Sequence, residues 1–415
     1  MKFPALEWIS IDGKLIFAAR IIRTFAYGFL SIILAIYLKL NGFDDIIIGI
    51  ILSFTLINSI IFTLIASFYA DRIGRKKILI IYGALMSISG IIFLVTTNPV
   101  ALIIAALIGT INVTGTETGA FLSIEQAILP QTIKDLKKKT TLFALYNMAG
   151  TFAMSLGILV SGLPKVLEIN YGLKDIDSIK PLFVFYALIG LITVFIYYRL
   201  SKNVEVTGKY SIDKSIPKPL TKTLSPDSKI IVSKLSALFA LDSLGGGFVI
   251  QSLVSLWFFT KFGVDLTTLS YILSIAGILS AFSFIIAAKI ADKIGLVNTM
   301  VFSHIPSNIL IILVAFAPSL PIAIILYLAR MTLSQMDIPT RQAYIVSVVK
   351  EDERTAAAGI TNISRNASQA ISPSFAGFFL QSVAYLSAPF VICGALKIVY
   401  DIVLYFNFRK VKPFD

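Results

Sequence analysis

Two carboxylates inside an apolar stretch are the residues of this sequence best placed to do chemistry. Glu117 and Glu125 lie in a largely apolar run that begins near Val100 and ends at a lysine cluster over residues 134–139. An acid at the centre of a bilayer costs about 2.5–3.5 kcal/mol on insertion scales, so such residues are usually functional. On one continuous helix they would stand about 80° apart and about 12 Å along the axis. We therefore expect Glu117 near the membrane midplane and Glu125 near a cytoplasmic gate.

Six further charged residues in apolar runs complete a candidate set for binding a solute or a proton: Arg20, Arg23, Asp242, Arg330, Asp337 and Arg341. Opposite charges recur within this set at similar offsets. Arg341 follows Glu125 by 216 positions, and Asp242 follows Arg23 by 219. This pattern predicts salt bridges between two halves of the protein that break as the halves move. The alternative for each charge is a structural salt bridge that only holds helices together.

Local spacing adds one direct pair to this set. Asp337 and Arg341 are four residues apart, so on one helix their side chains can meet, with Pro339 between them loosening the backbone. The single histidine, His304, lies in a different apolar run, and we expect it to be structural.

The composition is that of an integral membrane protein. The chain has 415 residues, of which 57% are hydrophobic and 14% charged, with a mean hydropathy of +0.86; soluble domains average about 25% charged residues. One cysteine and one histidine provide neither a disulfide within the chain nor a soft-metal site. The net charge of +13 comes from short basic loops between apolar runs, so nucleic acid is not the expected partner.

Twelve apolar runs are each long enough to cross a bilayer, for which about 20 residues suffice. They lie near 14–40, 46–70, 77–97, 99–129, 140–163, 181–200, 230–260, 268–291, 297–317, 319–348, 356–384 and 387–408. The predicted fold class is all-α, with twelve transmembrane helices in two pseudo-symmetric six-helix halves. We assign residues 1–200 to the first half, 201–229 to a cytoplasmic linker loop and 230–415 to the second half. The linker is interpreted as a solvated connection, with a regulatory or binding loop as the alternative.

Lysine and arginine are concentrated in the loops that share a side with the two termini, whereas the opposite loops hold few. The positive-inside rule therefore predicts a multi-pass protein of the cell membrane with both termini in the cytoplasm.

Weak internal repeats align the two halves in parallel. Residues 71–74, Asp-Arg-Ile-Gly, recur as Asp-Lys-Ile-Gly at 292–295, and Gly42 finds Gly263 at the same offset of 221. Such duplication is typical of transporters that build a site at the membrane midplane.

The loop after the second run, residues 71–77, resembles the signature loop of the major facilitator superfamily. That signature is Gly, three residues, Asp, a basic residue, any residue, Gly, any residue and two basic residues. Ser67 replaces its first glycine, and a weaker copy begins at Ala288. Residues 336–344, MDIPTRQAY, look like a recurring sequence in a poorly characterised prokaryotic branch of that superfamily.

The resemblance implies roles for particular residues. In that family the first, fourth, seventh and tenth helices line a central cavity, which would place the eight charged residues named above in it. The signature loop is expected to act as a conformational latch, with a topology anchor as the alternative. Its residues here would be Asp71, Arg72, Gly74 and Arg75, with Asp292, Lys293 and Gly295 in the second copy.

Two departures limit what the resemblance implies about activity. The fourth run lacks the arginine common in proton-coupled members, and the fifth lacks the proline-glycine signature of drug–proton antiporters. A partial version of that signature, residues 372–377, stands in the eleventh run instead.

We expect a secondary active transporter that moves a small polar, charged or zwitterionic solute by alternating access, with H⁺ as coupling ion and export as the first direction to consider. No ATP-binding loop, enzyme motif or cofactor site is visible, so the expected partners are the small-molecule substrate and the lipid bilayer, and the expected oligomeric state is a monomer. A uniporter, or a non-transporting membrane sensor or scaffold with a transporter fold, is the alternative.

Overall fold

The computed structural model describes residues 8–114, 119–133, 139–205, 224–349, 353–409 and 411. Across these residues the regular structure is helical, apart from one isolated antiparallel bridge between Ile9 and Ile133. Nine of the described segments are long and apolar enough to cross a membrane. Long helices suit this composition because a membrane-spanning chain must satisfy every backbone N–H and C=O internally.

The chain divides into two compact units. Unit 1 comprises Met1–Phe43, Phe54–Lys214 and Asp265–Tyr271, and unit 2 comprises Asp44–Ser53, Ser215–Val264 and Ile272–Asp415. Two short segments therefore group differently from the halves expected from the sequence. Residues 44–53 belong to unit 2 because Gly49 packs directly on the backbone of Pro373.

Among the described residues, eight α-helices lie largely in unit 1. They are α1 (Ile11–Leu40), α2 (Asp45–Ile73), α3 (Arg75–Val95), α4 (Pro99–Ile108), α5 (Ala120–Ile128), α6 (Lys139–Val160), α7 (Leu163–Tyr171) and α8 (Asp175–Tyr198).

Eight more α-helices of the described chain lie largely in unit 2. They are α9 (Pro226–Gly247), α10 (Gln251–Phe262), α11 (Leu266–Ile294), α12 (Leu296–Ala315), α13 (Leu320–Leu333), α14 (Asp337–Ser347), α15 (Arg354–Leu380) and α16 (Ala388–Phe408).

Helix packing repeats from one unit to the other. Within unit 1, α1 packs against α6 and α8, and α3 packs against α8. Within unit 2, α9 packs against α15 and α16, and α12 packs against α16. Because these helices correspond in chain order, the internal repeat seen in the sequence is also a repeat of tertiary packing.

Glycines with positive φ mark the equivalent turns of the two units. Gly42 and Gly263 have φ of 82° and 63°, and Gly74 and Gly295 have φ of 110° and 85°. Each pair is related by the offset of 221 positions. Only glycine adopts such backbone angles at little cost, so these two matches in the sequence reflect a shared local geometry.

The fourth and tenth apolar runs are each interrupted, which corrects the continuous helices expected there. In the fourth, α4 ends at Ile108 and α5 begins only at Ala120, and the described residues between them are non-helical. In the tenth, a turn at residues 334–336 separates α13 from α14. The Asn58 side chain donates to the carbonyl of Leu107 in the last turn of α4, which satisfies one of the backbone groups freed by the interruption.

Candidate functional site

A buried ion pair joins α1 to α5 in unit 1. Arg23 donates through both terminal nitrogens to Glu125, at 3.2 Å to Oε1 and 2.8 Å to Oε2. Both side chains are fully buried. A two-pronged contact of this kind fixes the orientation of the carboxylate as well as its charge.

Two tyrosines complete the coordination of this carboxylate. Tyr197 on α8 donates to Glu125 Oε1 at 2.6 Å and receives a hydrogen bond from Arg23 at 2.5 Å. Tyr146 on α6 donates to Oε2. We call Arg23, Glu125, Tyr146 and Tyr197 the unit 1 cluster. It draws its four members from four different helices, so it ties the bundle together at one buried point.

Arg20 joins the edge of this cluster through aromatic contact. Its guanidinium lies 3.9 Å from the centre of the Tyr146 ring and donates to Asn147 Oδ1 at 3.4 Å. Gly150 provides the room, because a Cβ atom there would collide with the guanidinium.

A larger buried network surrounds Asp242 on α9 in unit 2. Its Oδ1 accepts a hydrogen bond from Lys397 on α16 at 2.6 Å, and its Oδ2 lies 3.5 Å from Arg341 on α14. Arg341 also donates to Asp337, four residues earlier on the same helix. The direct pair expected from the Asp337–Arg341 spacing therefore forms.

The histidine extends the same network to α12. His304 Nδ1 lies 2.9 Å from Asp401 Oδ1, and its Nε2 lies 3.9 Å from Asp242 Oδ1. Asn308, one turn further along α12, donates to Asp401 Oδ2 at 3.0 Å. We call Asp242, Asp337, Arg341, His304, Lys397 and Asp401 the unit 2 cluster.

Two more arginines of unit 2 lie outside this cluster. Arg365 on α15 donates to the Ser243 hydroxyl at 3.0 Å and acts electrostatically on Asp242. Arg330 on α13 is also buried, and its contact is with the Met331 sulfur at 3.3 Å.

The two clusters hold charge-reversed versions of one ion pair. Arg23 and Glu125 correspond under the repeat to Asp242 and Arg341. The sequence predicted bridges between the halves from these four residues. The structure instead pairs Arg23 with Glu125 inside unit 1 and Asp242 with Arg341 inside unit 2. The offset identified the right residues, because equivalent helices carry them, but not the right pairing.

The other predicted acid, Glu117, lies outside the described residues, as do residues 134–138 of the lysine cluster. The 80° relation assumed one continuous helix, whereas the described residues 109–114 and Gly119 are non-helical. Glu125 is held by Arg23 and two tyrosines, so its contacts are those of a residue that holds the helices of unit 1 together.

The expected latch loop is organised around Gly74, which joins α2 to α3 with φ of 110° and ψ of 123°. Glu205, just beyond α8, accepts hydrogen bonds from the backbone N–H groups of Arg75 at 2.8 Å and Lys76 at 3.2 Å. A carboxylate at this position satisfies two free donors and the positive end of the helix dipole. The Arg75 side chain reaches the carbonyl of Ala127 at 3.4 Å.

The remaining latch residues are only partly described. Asp71 and Arg72 end α2, and the structure describes their backbone but not their side chains. In the second copy, Asp292 and Lys293 are exposed at the end of α11, and Gly295 makes the turn into α12. The latch role of these residues stays a prediction.

Sequence reasoning missed several members of the two clusters: Tyr197, His304, Lys397 and Asp401. His304 was expected to be structural, and the ion pairs around it were not foreseen. Lys397 and Asp401 did carry a signal, since they are a charged pair four residues apart inside the last apolar run. Glu205 carried none, because only the fold brings it to the start of α3.

Within the described part of the chain, no group of three or more His, Cys, Asp or Glu residues is placed to hold a metal ion. What the fold and the two clusters define is a multi-pass helical membrane protein with repeated units and buried charge. The sequence profile of the Major Facilitator Superfamily matches residues 16–334 and 235–414, and the chain belongs to that family of membrane transporters.

The chain is also similar to known proteins in sequence and in fold. The chain is 27% identical to the uncharacterized membrane protein YJR124C of Saccharomyces cerevisiae, over 97% of this chain and 95% of that one. Its fold is similar to the crystal structure of the nucleoside transporter NupG, with a TM-score of 0.72, 17% identity and coverage of 96% and 100%. It is also similar to the D-xylose-proton symporter, with a TM-score of 0.71, 14% identity and 97% of each chain covered.

Proposed function

We propose that the protein is a secondary active transporter that moves a small polar, charged or zwitterionic solute across the cell membrane by alternating access, with H⁺ as the coupling ion. The observation that carries this proposal is the buried charge of the unit 2 cluster, centred on Asp242. Ionised groups are costly inside a membrane protein, and a buried ion pair is often no more stabilising than apolar side chains of similar volume. The presence of such groups in the unit 2 cluster therefore favours a role in binding.

Proton coupling is supported by the chemistry of this cluster. It contains carboxylates and an imidazole, which can gain and lose a proton without any cofactor. A protein of similar fold is a D-xylose-proton symporter. Export is the direction that the sequence favoured, and uptake is the alternative. We also propose that the protein works as a monomer with both termini in the cytoplasm.

Arg330 supports a solute with an anionic group. Its guanidinium is buried, and within the described part of the chain its Nε has no hydrogen-bond partner. Arg330 and Lys397 both act electrostatically on Cys393, which places two cations near one point of α16. A carboxylate on the solute would satisfy the guanidinium with two parallel hydrogen bonds.

The test uses purified protein in liposomes that enclose a pH-sensitive dye. Amino acids, sugars, organic acids and cationic drugs are added in turn, and tracer movement is recorded beside the dye signal. We expect one solute class to move together with protons in the wild type. Glu117→Gln and Asp242→Asn should each be compared with it, because they remove an acid from the fourth and seventh runs.

Each alternative has its own outcome in this assay. Tracer that moves without a dye signal would identify a uniporter and remove H⁺ from the proposal. Ligand binding without flux of any tested solute would favour a sensor or scaffold. The sign of the dye response to a solute gradient separates symport from antiport, and so separates uptake from export under an inward proton gradient.

A further inference from the structure

His304 stands between two carboxylates that use it differently. Its Nδ1 is within hydrogen-bond distance of Asp401, at 2.9 Å, so the neutral ring keeps its proton on this nitrogen. Its Nε2 then carries a lone pair that faces Asp242 Oδ1 across 3.9 Å, too far for a hydrogen bond. The imidazole therefore has one proton-free nitrogen directed at a buried carboxylate.

The oxygen that His304 faces already has a partner. Lys397 donates to the same Asp242 Oδ1 at 2.6 Å. A proton added to Nε2 would turn that nitrogen into a charged donor aimed at this oxygen. One carboxylate oxygen would then face two cations. Protonation of His304 therefore makes the imidazolium and the Lys397 ammonium compete for the same oxygen.

Charged and titratable groups around His304 come from five helices. They are Asp242 of α9; Tyr327 and Arg330 of α13; Asp337 and Arg341 of α14; Arg365 of α15; and Lys397, Tyr400 and Asp401 of α16. While the imidazole is neutral, the four cations Arg330, Arg341, Arg365 and Lys397 exceed the three carboxylates by one positive charge. A proton on His304 raises that excess to two.

Of the cations around Asp242, Lys397 is the one most easily displaced. Arg341 is held by Asp337 as well as by Asp242, whereas the described ion pair of Lys397 is with Asp242. The Lys397 side chain is also more exposed, at 11% against 3% for Arg341. Gly245 and Gly246 of α9 flank it, and a Cβ atom at Gly246 would lie 3.6 Å from the ammonium nitrogen. These glycines leave the lysine room to swing.

We propose that His304 is the proton-binding residue of transport, and that its protonation displaces Lys397 from Asp242 and frees the ammonium for an anionic group of the solute. The proton enters at Nε2, an Nε2–H hydrogen bond to Asp242 forms, and the Lys397 hydrogen bond to the same oxygen breaks. The added positive charge is balanced by the solute's anion. This inference rests on the proposed function, and it selects symport of H⁺ with an anionic solute over export by antiport.

The proton site can be tested without any transport. Because the chain has one histidine, labelling histidine with ¹⁵N gives the signals of a single imidazole. In phospholipid nanodiscs we expect the wild-type ring to convert from the Nδ1–H tautomer to the doubly protonated form as the pH is lowered across the range in which the protein stays folded. A ring that keeps one form across that range would overturn the proposal.

The coupling is tested in proteoliposomes with D-glucuronate and D-glucose, of which only the first has a carboxylate. Any organic acid that the liposome assay above identifies as a transported solute is tested beside them. For His304→Gln, we expect the ratio of proton-driven uptake to solute counterflow to fall by about tenfold or more, as loss of a coupling energy requires. Lys397→Met should raise KM for the anionic solute, and Lys397→Arg should restore part of the affinity.

The outcomes separate this inference from the function beneath it. Proton-driven uptake of an anionic solute that survives His304→Gln would overturn the inference and leave the transporter intact. No flux of any solute would count against the proposed function, whereas the histidine spectra would still decide whether His304 takes a proton. A thermal unfolding curve for each variant identifies any that fail to fold.

Discussion

Arg23 and Glu125, 102 positions apart in the chain, form a two-pronged ion pair with both side chains fully buried. Their counterparts in the repeat, Asp242 and Arg341, are 3.5 Å apart with the charges exchanged between helices. Each unit thus has an equivalent buried ion pair, but the helix that carries the cation in one unit corresponds to the helix that carries the anion in the other. In unit 2 the pair is joined by His304 and Lys397, and the unit 2 cluster gains a group that can change its charge.

The Arg23–Glu125 pair should behave as a structural lock. Glu125→Gln or Arg23→Gln leaves one buried charge without its partner, which should cost about 3–5 kcal/mol of stability. The double variant removes both charges and keeps an acceptor for Tyr146 and Tyr197. It should therefore lose less than the sum of the two single changes, by at least about 1 kcal/mol. Unfolding of the purified protein by denaturant measures all three.

The exposed pair of Lys180 and Asp177 provides the control for this cycle. Its side chains are 42% and 48% exposed, so Asp177→Asn should leave unfolding essentially unchanged. Strict additivity of the Arg23 and Glu125 changes would contradict a direct buried interaction.

The turn glycines should resist substitution. Gly295 has φ of 85° and ψ of 164°, and its added Cβ would meet no atom within 4 Å. Gly295→Ala therefore isolates the backbone strain, which we expect to cost about 1–3 kcal/mol. Gly74→Ala should cost more, because its Cβ would also lie 3.3 Å from the Glu205 carboxylate. Thermal unfolding of the two variants side by side tests this order.

Gly172 is a milder case for comparison. Its φ of 65° and ψ of 24° are left-handed helical angles that asparagine tolerates. Gly172→Asn should be nearly neutral, and equal losses at Gly74, Gly172 and Gly295 would argue against the strain account.

Glu205 should stabilise the start of α3. Glu205→Ala removes the acceptor of two backbone N–H groups, and we expect a loss of about 1–2 kcal/mol, as for other helix caps. Glu205→Gln keeps one carbonyl acceptor and should lose less. Hydrogen exchange at Arg75 and Lys76 reports the effect locally, while the neighbouring exposed residue Lys202 supplies a control variant, Lys202→Ala. Unchanged exchange in Glu205→Ala would exclude the cap.

Arg330 should matter more for the solute than for the fold. Its described contact is a sulfur atom, so Arg330→Met should change thermal stability little. If the guanidinium binds an anionic group, the apparent affinity for D-glucuronate should fall about tenfold or more, the value of a charged hydrogen bond. Arg330→Lys should keep the positive charge but lose the two parallel hydrogen bonds. Its apparent affinity should therefore lie between those of the wild type and Arg330→Met. Equal affinity in all three proteins would remove Arg330 from the site.

Much of the architecture followed from the sequence because it depends on local and repeated patterns. Apolar runs require helices, the glycines at offset 221 require equivalent turns, and the signature loop at residues 71–77 indicated the family that the profile match confirmed. The spacing of Asp337 and Arg341 was sufficient to predict their pairing, because residues four positions apart on one helix lie on the same face.

The tertiary structure alone decided how the buried charges combine. The sequence placed Arg23, Glu125, Asp242 and Arg341 in apolar runs and related them by the repeat, but partners between helices depend on rotation and depth, which offsets do not encode. Tyr197 and Glu205 reach their partners across 72 and 130 positions. His304 became a candidate only when α12 and α16 packed together and brought Asp401 to its ring, because a single histidine in an apolar run carries no signal until its neighbours are known.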